Sequence, residues 1–178
     1  RNVKEIDGIF TEASISRVYP NHELLAQTLG FVGIDNVGLS GIEYQFDKLL
    51  RGEMKVIKYV KDARGRATKF ETSLLENKAQ NIHLTIDKDL QAISEKYLKE
   101  TVYEFRAISG GVGVMDAATG EVLAVANYPT FDPNDIKGHS AAARKLSFVT
   151  DPFEPGSVFK VFTMAAGIDS GKITPETV

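Results

Sequence analysis

The chain contains no cysteine, which excludes disulfides, zinc–thiolate sites, iron–sulfur clusters and thiol nucleophiles, and is compatible with an oxidising compartment. It has no long apolar run: charge-free stretches such as residues 107–115 and 122–131 reach about ten residues, half the roughly 20 that a membrane span needs. No basic-then-apolar segment opens it, so no signal segment is expected at its start, and Arg1 has no methionine before it. It lacks a basic excess. The net charge is −3 with lysine and arginine dispersed, which gives no footprint for nucleic acid. What remains is an ordinary globular composition, 43% apolar and 25% charged over 178 residues, enough for one good core or two small ones.

The first third is polar and rich in turns. Arg-Val-Tyr-Pro at 17–20 reads as extended, because Pro20 pushes Tyr19 out of the helical region. Residues 22–29 predict a short helix stopped by Gly30, and residues 42–50 a second one ended by Gly52. Residues 54–60 and 67–75 have the β-branched and aromatic character of a strand pair, with Arg64, Arg66 and Lys69 as a solvated hairpin tip. Near residue 81 the character changes. Residues 82–86 alternate apolar and polar, a strand pattern. Thr85 or Asp87 then caps a long amphipathic helix to about Phe105, with Leu90, Ile93, Tyr97, Leu98 and Val102 at helical spacing. Residues 110–115 and 121–127, joined by turn chemistry at 116–120, give the strongest hairpin signal in the chain. Residues 135–150 read as loop or one short helix, and a last helix is expected over 156–169, stopped by Gly171.

Most familiar chemistries find no support. His22, His83 and His139 lie far apart and none has a partner at metal-ligand spacing. A Ser-His-Asp triad through His139 has no local support, and no Gly-x-Ser-x-Gly elbow exists. Gly111-Val-Gly113 lacks the third glycine of a dinucleotide fingerprint; these glycines read as permitting close backbone approach or a flattened strand face. One segment differs: Glu154-Pro-Gly-Ser157-Val-Phe-Lys160. Ser-x-x-Lys alone is a common pattern, but here Pro155 and Gly156 set Ser157 at a helix start, where i and i+3 share a face and the Lys160 amine reaches the Ser157 hydroxyl. Phe153, Val158, Phe159 and Phe162 are expected to bury the pair partly, which disfavours an ammonium and favours a base. The helix N-terminus adds free N–H groups, so that of Ser157 would serve as half of an oxyanion hole.

Ser157-Val-Phe-Lys160 after Glu-Pro-Gly resembles the nucleophile motif of penicillin-binding proteins and serine β-lactamases. The upstream sequence resembles more narrowly the class B penicillin-binding proteins. Arg17-Val-Tyr19-Pro20 leading to Leu29-Gly-Phe-Val-Gly33 is similar to the family's Arg-x-Tyr-Pro segment, and Gly38-Leu-Ser-Gly41-Ile-Glu43 to its Gly-x-x-Gly-x-Glu segment. Leu84-Thr-Ile-Asp87 with Gln91 resembles the opening of the catalytic domain, and Asp116 to Gly120 with Pro129 to Asn134 its first hairpin and exit. Departures are His22 for a usual Gly, Gln27 for a frequent His, Lys55 for a Gly, and Arg144-Lys145 for a common Asn-Arg pair. The family's earliest motif, its membrane anchor, and its later Ser-x-Asn and Lys-Thr-Gly motifs are not in the sequence.

The resemblance implies an internal fragment with an α+β fold. A loop-rich, non-catalytic pedestal (dimerisation) module would occupy residues 1–80. The N-terminal part of a penicillin-binding transpeptidase domain would follow over residues 81–178, as helix, antiparallel hairpin and nucleophile helix. It implies a serine-type D-Ala-D-Ala transpeptidase that cross-links peptidoglycan, with Ser157 as nucleophile and oxyanion donor and Lys160 as base, and with no metal or cofactor. Expected partners are peptidoglycan stem peptides, β-lactam antibiotics, cell-wall synthesis and division proteins, and a remaining transpeptidase segment or second chain that completes the sheet; nucleic acid is not among them. The expected location is the extracytoplasmic face of a bacterial inner membrane, through an N-terminal anchor absent from this chain. These residues alone are expected to be inactive. The alternatives are a non-catalytic scaffold that docks cell-wall machinery, and a β-lactam sensor or β-lactamase relative. Residues 1–80 and 81–178 are expected to share few core contacts.

Overall fold

A computed structural model describes residues 16–52, 58–61, 67–71 and 79–177, with 58–61 and 67–71 described by backbone alone. The chain divides into two compact units, residues 1–148 and 149–178. Its elements are mixed. Helices α1 (Ala26–Leu29), α2 (Gly41–Gln45) and α3 (Asp47–Arg51) precede a hairpin of β1 (Lys58–Lys61) and β2 (Ala67–Glu71). Then come α4 (Lys88–Glu104), β3 (Gly110–Met115), β4 (Val122–Tyr128), α5 (Ser147–Thr150) and α6 (Lys160–Asp169). Both sheets are two-stranded and antiparallel. The α+β class read from the sequence is therefore the observed one. The basic tip at Arg64 and Arg66, the side chain of Lys69, and most of the rest of the predicted strand pair lie outside the described residues.

Within residues 1–148, the hairpin and its helix are the framework. Asp87, not Thr85, caps α4: its Oδ1 accepts the N–H groups of Asp89 and Leu90 at 3.0 and 2.8 Å. The face of α4 on the sheet runs through Gln91, Glu95, Leu98 and Val102, at helical spacing. Leu98 and Val102 pack with Ala126, Val112 and Tyr128 as one core cluster. The apolar face expected from the sequence is thus corrected. Leu90, Ile93 and Tyr97 face outward, and Gln91 is fully buried in place of a hydrophobe. The reason is the edge of β4. Gln91 Oε1 accepts the Val125 N–H at 2.8 Å and its Nε2 donates to the Val125 carbonyl at 2.8 Å, as a neighbouring strand would.

The same contact explains a second correction. Residues 82–86 form no strand. They lie beside the start of β4, with the Thr85 hydroxyl donating to the Val122 carbonyl and the Asp87 N–H to the Leu123 carbonyl. Where a ladder would continue, the Gln91 amide occupies the rung.

The strand pair β3–β4 runs in register from Gly110↔Tyr128 to Val114↔Ala124, then shifts so that Met115 meets Val122. Asp116 builds the turn. Its Oδ1 accepts the N–H groups of Ala118 and Thr119, and those two bonds hold its carboxyl below the usual range. Gly111 and Gly113 read correctly as sites of close approach: a Cβ there would lie 2.5 and 2.8 Å from the Phe148 ring, which covers that face of β3.

The N-terminal segment clasps this framework. Pro20 keeps Tyr19 extended, and the Asn134 side chain pairs with it on both sides, accepting the Tyr19 N–H at 3.0 Å and donating to its carbonyl at 2.9 Å. Arg17 holds the buried Glu43 through two of its guanidinium nitrogens, Nε at 2.9 Å and Nη2 at 3.0 Å, and the Tyr19 hydroxyl donates to the same carboxylate. Burial, then the Glu43 charge, pushes the Tyr19 phenol well above its ordinary value.

Two helices predicted here are corrected. Residues 22–25 are turns, because His22 and Leu25 take left-handed backbone at φ 52° and 59°, and the Leu25 N–H goes to Glu95 Oε1 at 2.7 Å, not to a helical carbonyl. Residues 42–50 split at Phe46 (φ −115°, ψ 24°) into α2 and α3, where Asp47 turns its Oδ1 to the Gly38 N–H at 2.9 Å.

The expectation of few shared contacts across residue 80 is also corrected. Ala26, Phe131 and Ala143 form one buried cluster with Phe31 packed on it, its ring edge-on to Phe131 at 5.9 Å. Gln27 donates to the carbonyls of Pro129 and Ala143 at 3.0 and 2.9 Å. Phe46 and Leu49, by contrast, stay exposed.

Two outcomes follow for the full-length protein. Gly111→Ala destabilises by about 1–3 kcal/mol in chemical denaturation, the range of an overpacked site. Combining it with Phe148→Ala gives a loss smaller than the sum, and strictly additive losses would contradict the contact. Glu95 is half-buried, and burial raises its carboxyl above the ordinary range. A raised carboxyl lowers stability above its folded value and is relieved as pH falls through it. Glu95→Gln therefore raises the melting temperature at pH 7, with a gain that shrinks towards pH 4.5; a gain that grows on acidification contradicts this.

Candidate active site

The nucleophile motif lies in residues 149–178. Pro155 (φ −73°) and Gly156 (φ 57°) lead into a 3-10 turn at Gly156–Phe159 that continues without a break into α6. The opening turn is tighter than the α-helix start expected from the sequence. This sharpens the geometry: with three residues per turn, positions i and i+3 lie directly over one another. Ser157 is therefore stacked with Lys160, the first residue of α6, whose N–H donates to the Ser157 carbonyl. The Ser157 N–H belongs to the opening turn, whose amides have no helical acceptor. A hydroxyl, an N–H and an amine thus come from the turn and the first residue of the helix that follows it, the donor and acceptor types that acyl transfer at a serine uses. At the far end Gly171 (φ 66°) stops the helix as expected, its N–H donating to the Ile168 carbonyl, and Ile173 folds back against Gly167.

The burial expected around Lys160 is not found. Ser157 and Lys160 are exposed, and Phe153, Val158, Phe159 and Phe162 are each more than half exposed. Residues 149–178 supply one helix and its flanking turns, with apolar side chains on several sides of it. Phe159 and Phe162 meet each other at 5.4 Å, and such an arrangement cannot cover itself. Among the described residues no hydrogen bond joins the Ser157 hydroxyl to the Lys160 amine.

The histidines find structural partners. His22 Nδ1 lies 2.8 Å from Asp132 Oδ2, and His139 Nε2 accepts the Asp132 N–H at 3.3 Å. With the Asn134 N–H and His22 on it, the Asp132 carboxyl sits below its usual range. Among the described residues no group of three or more His, Cys, Asp or Glu side chains could hold a metal ion, and no helix is long and apolar enough to cross a membrane. What the sequence reading missed are the buried amides Gln27 and Asn127. Gln27 was visible only as a replacement for histidine, and Asn127 only as the end of a strand.

Two family models match the chain. One, for the penicillin-binding protein dimerisation domain, covers residues 1–84, and the other, for the penicillin binding protein transpeptidase domain, covers residues 110–178. Both matches, a dimerisation domain followed by a transpeptidase domain, stand in the chain order that the class B resemblance of the sequence implies. It is 34% identical to the peptidoglycan D,D-transpeptidase FtsI of Escherichia coli K12 over 98% of its own length and 30% of that protein's. It is 38% identical to the probable peptidoglycan D,D-transpeptidase PbpC of Pseudomonas aeruginosa, over 94% of this chain and 30% of the other. Among solved structures it is similar to penicillin binding protein 3 of Mycobacterium tuberculosis complexed with ampicillin, at TM-score 0.71 and 32% identity, covering 92% of this chain and 33% of that one. The chain thus spans about a third of the length of the relatives it matches.

Proposed function

We propose that the full-length protein cross-links peptidoglycan by acyl transfer and that Ser157 is its nucleophile. The observation that carries this reading is the 3-10 turn stacking Ser157 and Lys160 at the head of α6, inside the segment matched to a transpeptidase domain. Ser157 Oγ attacks the penultimate D-Ala carbonyl of a stem peptide, and Lys160 Nζ takes the hydroxyl proton. The Ser157 N–H donates to the oxyanion that forms. The bond to the terminal D-Ala breaks as its nitrogen takes a proton, and D-Ala leaves. An amine of a neighbouring strand then attacks the ester and loses a proton, forming the new amide while Ser157 recovers its hydroxyl. The reaction uses no cofactor. A β-lactam, which mimics the D-Ala-D-Ala end, acylates the same serine; the Mycobacterium tuberculosis relative complexed with ampicillin supports binding of such a compound by the full-length protein.

On this reading residues 1–80 are the pedestal module and residues 81–178 open the transpeptidase domain. The protein works at the extracytoplasmic face of a bacterial inner membrane, alongside cell-wall synthesis and division proteins.

The test is covalent labelling of the full-length protein by a fluorescent penicillin. Ser157→Ala abolishes labelling, and Lys160→Ala slows it by about 10²–10⁴-fold, the range for loss of a general base. Normal labelling of the Ser157 variant overturns the nucleophile assignment, and a normal rate in the Lys160 variant removes lysine from the base role.

A further inference from the structure

Gly156 stands immediately before Ser157 with its backbone in the left-handed region, at φ 57°. A helix usually opens from an extended residue whose side chain caps the first amides, and left-handed glycine gathers at the other end, where it stops the helix. Gly171 does that for α6, at φ 66°. Gly156 is at the wrong end for such a role. It follows Pro155, which is already helical (φ −73°, ψ −20°), and no side chain among the described residues caps the turn that Gly156 opens. Crowding does not account for the glycine either. A Cβ at Gly41, also left-handed at φ 58°, would lie 2.5 Å from the Thr28 carbonyl oxygen, whereas a Cβ at Gly156 would meet no atom within 4 Å. What the position demands is the left-handed φ itself, which most L side chains resist.

The peptide group that joins Gly156 to Ser157 carries the N–H assigned above to the oxyanion. That group is planar, so its direction is set by the backbone rotations of the two residues it joins. Ser157 is held by the turn that runs on into α6, with the Lys160 N–H on its carbonyl. The rotation left to decide where the N–H points is that of Gly156. We propose that Gly156 is a positioning residue for acylation: its left-handed backbone aims the Ser157 N–H at the oxyanion, and it acts on the reaction through that N–H alone. The inference concerns one local turn and rests on the assignment of Ser157 as nucleophile.

A glycine needed only for the fold would lower stability on replacement and leave the chemistry of the folded protein alone. A glycine that aims the oxyanion donor acts on a charge that develops only during attack, so its loss lowers the acylation rate constant and spares initial binding. The disfavour of the left-handed region for an alanine corresponds to a fall of about 5- to 30-fold.

The test is saturation kinetics of penicillin acylation in the full-length protein for wild type, Gly156→Ala and Gly156→Asn, below their melting temperatures. Both variants add a Cβ, but asparagine enters the left-handed region far more readily than alanine. The expected acylation rate constant is about 5- to 30-fold below wild type for alanine and within about threefold of it for asparagine, with initial binding within about twofold in both. Gly156→Ser, small and without the tolerance of asparagine, takes the place of the alanine variant if that one does not fold. A smaller fall in the alanine variant overturns the proposal, as does a loss of initial binding alone. So does an asparagine variant as slow as alanine or slower, which would trace the effect to the added side chain and not to φ. Failure of both the alanine and serine variants to fold marks the glycine as structural and overturns it too. A wild-type protein that is not acylated at Ser157 overturns the nucleophile assignment itself, an outcome read before any variant is compared.

Discussion

The described residues of 16–52 and 79–148 are tied together by side-chain amides that take the place of a strand. Gln91 supplies both halves of a rung to Val125, and Asn134 does the same for Tyr19. Gln27 and Asn127 satisfy the carbonyls of Pro129, Ala143 and Lys145. Backbone groups buried at an edge or in a loop each need a partner, and an unpaired one costs about 1–3 kcal/mol. A two-stranded sheet has many such groups. Here the missing neighbours are supplied from α4, from the N-terminal segment and from the hairpin exit, so helix, hairpin and pedestal sequence depend on one another.

The ion pair of Arg17 with Glu43 belongs to the same logic. A buried carboxylate is tolerated because a two-nitrogen guanidinium grip and a phenol satisfy it, and removing one partner would strand the other. In the unit that carries Ser157 the balance differs. Its apolar side chains stand exposed, and its order comes from local turn geometry: Pro155, the left-handed Gly156, and the stacking of i on i+3. That local geometry places Ser157 and Lys160 on one side of the helix start.

How much of this was legible in the sequence follows from the range of the forces. α4 and the β3–β4 hairpin were readable because their signals are local: an Asp cap, a helical repeat, and turn chemistry from Asp116 to Gly120. The helix start at Ser157 was readable for the same reason, through Pro-Gly ahead of Ser-x-x-Lys. The first half of the short helix expected over 22–29 was not, since Leu25 takes left-handed backbone and gives its N–H to a carboxylate of Glu95, far along the chain. The alternation at 82–86 read as a strand, but no strand forms there, since Gln91 already holds the edge. Gln27 and Asn127 look like any polar residue in a sequence; only the backbone groups brought near them by folding give them work. Burial around Lys160 was misjudged because aromatic residues near a motif in sequence cover it only when another element packs over them.

The claim that the amide clasp makes residues 16–52 and 79–148 one cooperative unit is tested most directly by native-state hydrogen exchange at three amides that donate to side-chain oxygens: Leu25 to Glu95, Val125 to Gln91, and Phe148 to Asn127. If the clasp unites the parts, these amides exchange through a common opening of the same free energy and fall together when Gln91 is replaced by alanine. Exchange of Leu25 through its own low-energy opening, unmoved by the Gln91 substitution, would contradict the account.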